Sequence, residues 1–283
     1  MPIPMTPPSP LTLAGQGAGG KVFYVQPSTG TAMVDDDSVT TLQAAGWKLP
    51  GVAAKTPGNY QQPYVLAQAA SPVILPSSGT ADAAGGITLT TALPYVPAGV
   101  VQIYLPAGVV TGGPQGSGAG LYSVVFSSTT VCQIQGTGVV TTAGAYTQTT
   151  AAFVTLASIP VPGGAMGKSG VLKPSALFRV NSSANSKGVR TRYGALSAYQ
   201  VTNVTTAQSQ SIAKAIRNRG SESAQVTNAL AGTEGVGSTA GATLYGTVDS
   251  SVAQFVFLDA QLVAVDTEYV ILEAYSVEVA PGA

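Results

Sequence analysis

The chain has 283 residues, of which 45% are hydrophobic and 8% charged, with 12 basic and 12 acidic side chains. That length suits one large β domain or two smaller ones and supports a sizeable core. With no histidine and a single cysteine, the sequence excludes Ser-His-Asp and Cys-His catalysis, an internal disulfide and a cysteine-rich zinc site.

Gly, Pro, Thr, Ser, Ala and Val dominate, a mixture that favours short strands and tight turns over helices. A charged fraction so far below the usual quarter has two readings. The chain has a neutral all-β surface, or other subunits cover much of that surface.

Residues 1–20 are rich in Pro and Gly and are predicted as an extended arm without a core of its own. MPIPMTPPSP has neither the basic nor the apolar region of a targeting segment. Residues 21–50 are predicted as a small hairpin-plus-helix module. Lys21–Val25 makes one strand, Pro27–Gly30 the turn and TAMV the second strand. The helix follows in DDDSVTTLQAAGW, with Asp37 or Ser38 as N-cap, Val39 and Leu42 at helical spacing, Gly46 as the stop and Trp47 packing back on the hairpin. Asp35, Asp36 and Asp37 suit the positive end of that helix better than a cation site.

Residues 51–79, with Pro57, Pro63, Pro72 and Pro76, read as a linker. From 80 to 283 the pattern is one of many short strands, among them ITLTTAL, VVQIYL, AAFVTLASI, SALFRVNSS, AQFVFLDAQLVAV and EYVILEAYSVEV. Eight or more such strands between turn-rich segments predict a mainly β chain with a jelly-roll-like antiparallel β-sandwich. Cys132, in TTVCQIQ, is predicted as a small core residue. One helical candidate remains in TTAQSQSIAKAIRNRG, where Ile212 and Ile216 are one turn apart, although a strand fits as well. No apolar run approaches the ~18 residues of a membrane helix.

Gly167, Lys168 and Ser169 resemble the end of a phosphate-binding P-loop. The first glycine of that pattern falls on Pro162, and Pro174 stands where the required helix interior would be. PVPGGAMGKSG is therefore predicted as a turn between strands. Asp266 and Glu268 are spaced like a glycosidase carboxylate pair, but alternate acids on a terminal strand are expected on a solvated sheet face. No other catalytic motif and no cofactor or metal site is expected.

The charges are segregated. No Asp or Glu lies between Asp82 and Glu222, a span holding Lys168, Lys173, Arg179, Lys187, Arg190, Arg192, Lys214, Arg217 and Arg219. After Arg219 every charged residue is acidic. Basic and acidic strands are expected to meet, within the sandwich or across a subunit interface. The basic stretch lacks the aromatic platforms of RNA-binding motifs, so no nucleic-acid partner is expected. Arg190 and Arg192 share one strand face and are predicted, with Arg217 and Arg219, to pair with the acidic tail of a neighbouring subunit.

Three phrases carry a resemblance: GAGLYSVVFSSTTVCQIQGT, PGGAMGKSGVLKPSALFRVNSSANSKGVRTRYG and IRNRGSESAQVTN. They resemble strand and turn segments of tailed-bacteriophage virion structural proteins, of the capsid-decoration, head-fibre or tail-fibre type, and cover roughly residues 75 to 230. The N-terminal unit ending in AAGW also resembles small modules near phage head and fibre proteins. The resemblance implies a trimeric jelly roll on a capsid or in a fibre, with no catalytic residue. The expected partners are other copies of the chain, as a homotrimer, and the major capsid protein or another virion protein. The protein is expected to be made in a host cytoplasm and to act in the virion, without membrane contact. Val22, Phe23, Tyr24, Val25, Leu42 and Trp47 are the predicted anchoring residues. The alternative is a tail-fibre module recognising host glycan, with Tyr95, Tyr104, Tyr122, Tyr146 and Tyr199 as candidate contacts.

Overall fold

The computed structural model describes residues 63–148, 152–205, 209–231, 241–264 and 267–282, together with four short strands before them. The chain divides into two units, Met1–Tyr64 with Ala283, and Val65–Gly282. No helix occurs among the described residues.

In the first unit, β1 (Ile3–Met5) pairs antiparallel with β4 (Ala32–Val34), and β2 (Ala14–Gln16) pairs antiparallel with β3 (Val22–Tyr24). Strands thus form where VFY and AMV predict them, but each takes its partner from the stretch expected to be an arm. Local pattern sets whether a strand forms and leaves its partner open. Val25, Leu42, Trp47 and the predicted helix lie outside the described residues.

The second unit contains β5 (Tyr64–Ala69), β6 (Val73–Pro76), β7 (Ser78–Ala81), β8 (Gly86–Leu89), β9 (Val100–Leu105), β10 (Val110–Gly112), β11 (Gly120–Phe126) and β12 (Val131–Ile134). These are followed by β13 (Val140–Thr141), β14 (Gly144–Thr147), β15 (Val154–Val161), β16 (Val171–Val180), β17 (Lys187–Tyr193) and β18 (Leu196–Val204). The last are β19 (Ser209–Ala213), β20 (Ile216–Asn218), β21 (Gln225–Thr227), β22 (Leu244–Gly246), β23 (Gln254–Leu262) and β24 (Tyr269–Ala280).

Eight of these strands form a rolled antiparallel ribbon. Taken in chain order, β6, β15, β16, β17, β18, β19, β23 and β24 pair first with last, second with seventh, third with sixth and fourth with fifth. Two further antiparallel pairs, β24 with β16 and β23 with β17, complete the sheets β6-β24-β16-β19 and β15-β23-β17-β18. This is the double-sheet jelly roll. Alternation along the strands directs Leu172, Ala176, Phe178 and Val180 of β16 inward, along with Val256, Leu258, Ala260 and Leu262 of β23. Ile212 and Ile216 lie in β19 and β20, so the helical candidate is two strands.

Pro72 and Pro76 conceal the first strand of the roll in the sequence. They flank VIL, where a missing N–H is tolerated at strand ends. Every residue of β6 is buried, and the strand is paired with β24 on one side and with β9 on the other. The stretch expected to be a linker therefore holds β5, β6 and the start of β7. Between β6 and β15 the chain makes β7–β14, with sheet order β14-β7-β8-β12-β11-β9-β6. This lobe has a core containing Ile87, Val101, Ile103, Leu105, Val124, Phe126, Cys132 and Ile134. Between β19 and β23, strands β20–β22 extend the other end of the same sheet.

The Gly-Lys-Ser segment is a latch. Gly167 has a left-handed φ of 62°, and a Cβ there would strike the Gly282 carbonyl oxygen. The Gly167 carbonyl accepts from Asn218 Nδ2 at 2.6 Å, and Met166 O accepts from Gly282 N at 2.8 Å. The backbone groups of the turn hold the C-terminal segment, while Lys168 is exposed.

Candidate functional site: an arginine–phenylalanine sheet face

Among the described residues, the outward face of β15-β23-β17-β18 carries a concentrated cluster of charged and aromatic side chains. Antiparallel register sets Arg190 opposite Asp259 and Arg192 opposite Phe257. Asp259 Oδ2 accepts from Arg190 Nε at 2.8 Å and from Arg192 Nε at 2.7 Å. Its Oδ1 accepts from Thr155 Oγ1 at 2.8 Å and from an Arg192 terminal nitrogen at 3.3 Å. The carboxylate has no exposed surface even though it lies on an outer face, because the two guanidiniums cover it.

Each guanidinium also lies on a ring. Arg190 sits 4.3 Å from the centroid of Phe153, and Arg192 sits 4.4 Å from that of Phe257. Phe257 in turn stacks on Phe255 at 5.8 Å. Gly188 makes room for the row, since a Cβ there would meet the Phe153 ring at 3.1 Å. The result is a platform of rings and guanidiniums on which two positive charges share one negative charge. Asp259 is the only Asp or Glu on these four strands, and the one lysine, Lys187, is buried.

The counter-ion expected on a neighbour is therefore Asp259 of the same chain. The basic middle and acidic end meet within the sandwich, because the fourth and seventh strands of the roll are adjacent. Arg217 and Arg219 lie elsewhere, at β20 and just beyond it, with the Arg219 guanidinium 5.0 Å from the ring of exposed Tyr245.

Two lysines are buried among the described residues. Lys187 Nζ donates to Ser183 Oγ at 2.7 Å and to Asn185 O at 2.8 Å. Burial pushes its pKa down, and the Glu268 carboxylate partly opposes that shift. Glu268 is itself buried, not on a solvated face. Its Oε1 accepts from Asn185 Nδ2 at 2.7 Å, while its Oε2 has no hydrogen-bond partner among the described residues. Asp266 lies outside them. Lys214 Nζ donates to Ala229 O at 2.7 Å and faces the Tyr199 ring at 5.7 Å, and burial lowers its pKa to about 8.

Cys132 is buried in the lobe core, where desolvation raises its pKa to about 12. Among the candidate glycan tyrosines, Tyr122, Tyr146 and Tyr199 are buried. Tyr104 is half-buried on β9, and the Tyr95 hydroxyl donates to Glu273 Oε2. No group of three or more His, Cys, Asp or Glu side chains suited to a metal ion occurs among the described residues. The platform escaped sequence reading because Phe153, Phe257 and Asp259 come from segments distant in sequence. The only signal was the pair of basic residues at i and i+2.

No protein family and no curated protein matches the chain. Among solved structures, that of the infectious bursal disease virus Gx strain aligns with 12% identity over 99% of this chain and 75% of that chain, at a TM-score of 0.19. An overlap that low carries no argument about fold or role.

Proposed function

We propose that this chain is a non-enzymatic structural protein of a virus particle, and more narrowly a capsid-decoration, cement or head-fibre protein of a tailed bacteriophage. The observation that carries the reading is the first-to-last strand pairing of the jelly roll, a fold used by viral capsid and lectin domains. It bears an aromatic–arginine face. Such a protein works by adhesion. A rigid double sheet supplies the scaffold, and residues enriched in protein interfaces supply the contact.

In this reading the N-terminal unit anchors the protein to its particle and the roll associates with other copies, as a trimer. Deleting residues 1–50 should leave a folded roll, seen as an unchanged β circular dichroism spectrum, that no longer co-sediments with particles. Normal co-sedimentation of that variant would remove the anchoring role. The tail-fibre glycan reading has less support, because three of its five candidate tyrosines are buried.

A further inference from the structure

The Arg–Phe platform combines three features on one sheet face. It is a row of rings and guanidiniums, since Arg190 lies over Phe153 and Arg192 over Phe257. It is partly apolar, since Phe255 is 44% exposed. It also carries one positive charge in excess, since Arg190 and Arg192 share the single Asp259 carboxylate. Each guanidinium has five N–H donors, so donors remain after Asp259 is satisfied. Aromatic residues and arginine without lysine or glutamate are the composition of an interface core.

The chain as a whole is neutral, so the charge that balances this face lies elsewhere on the same molecule. Asp249 is an exposed carboxylate in the loop leading into β23, held in place by Ser251 N at 3.0 Å and Ser251 Oγ at 2.6 Å. We propose that the outer face of β15-β23-β17-β18 docks a second copy of this chain, with Phe255 and Phe257 as apolar anchors and Asp249 of that copy as counter-charge to Arg190 and Arg192. The inference rests on the self-association reading above and assigns it a surface. Charge complementarity selects the occupant, because an identical copy carries the carboxylate that the face lacks.

The test is the solution mass of the full chain by light scattering, across protein concentration and at low and high salt. The wild type should be multimeric. Phe255→Glu, which places a charge on an exposed anchor, should raise the dissociation constant roughly tenfold or more. Asp249→Lys should weaken association at low salt and lessen its salt dependence. Circular dichroism and melting of each variant establish folding, and Phe255→Ser replaces Phe255→Glu if the latter misfolds. A multimeric wild type with both Phe255 variants unchanged overturns the face and leaves self-association standing. An unchanged Asp249→Lys alongside a monomeric Phe255→Glu overturns the counter-charge. A wild type that is monomeric throughout overturns self-association itself, and with it the second copy as occupant.

Discussion

Asp259 shows how a single side chain fixes the character of a surface. It accepts four hydrogen bonds and is hidden beneath the two guanidiniums it neutralises. Removing it leaves two like charges on adjacent positions of one face. Asp259→Ala should therefore destabilise the fold by about 3 kcal/mol, read from the urea midpoint. A loss below a few tenths would mean that the arginines simply turn to water. Arg192→Lys should cost less, about 1 kcal/mol, because an ammonium keeps the charge but loses the planar fork and the stacking on Phe257.

Lys214 makes a prediction about pH. Its folded pKa of about 8 lies below the ordinary 10.5, so between those values the unfolded chain binds more protons than the folded one. Stability should therefore rise from pH 8 towards pH 10, by on the order of 2 kcal/mol. Above pH 10 the buried tyrosines act in the opposite sense, because burial raises the pKa values of Tyr146 and Tyr193. Lys214→Met should flatten the rise in melting temperature between pH 8 and 10. If the variant keeps the full wild-type slope, the group responsible is not Lys214.

Among the elements, β6 joins two cores, and sequence reading missed it. Strands that alternate, such as β16 with its outward Lys173 and inward Leu172, declare both their type and their buried face. Cys132 was legible as core for the same reason. VILP does not alternate, because both its faces are covered, and its bounding prolines read as linker punctuation. Partnership was less legible than type. Arg190 and Arg192 were recognisable as one face, yet their counter-ion lies about 70 positions away on β23, a separation that no local pattern encodes. Ile74 of β6 has no exposed surface and belongs to the lobe cluster, while its strand also pairs with β24 of the roll. Ile74→Ala should cost about 3–4 kcal/mol, at the upper end for such a deletion, measured by chemical denaturation. A cost near 1 kcal/mol would mean that the site collapses around the smaller side chain.

At the scale of the second unit, lobe and roll share a sheet through β9 and β6, so they should unfold together. Cys132 reports on the lobe, because its buried thiol, with its pKa raised to about 12, reacts only after opening. The urea dependence of Cys132 labelling by a thiol reagent should coincide with the loss of β circular dichroism, which is dominated by the roll. Labelling at a distinctly lower urea concentration would show the lobe opening as a separate cooperative unit.

The pairing of β6 with both β9 and β24 also bears on how the chain emerges from a ribosome. Ile74 pairs with Ile103 of β9, about 30 positions on, whereas its other partner, Ile271, follows about 200 positions later. At typical synthesis rates of about 5–20 residues per second, an apolar segment without early cover would wait many seconds for its closing strand. The lobe, built from neighbours in sequence, can assemble within that interval and shield one edge of VIL. What looks in the finished molecule like an insertion into a jelly roll would act during synthesis as a built-in chaperone for its first strand.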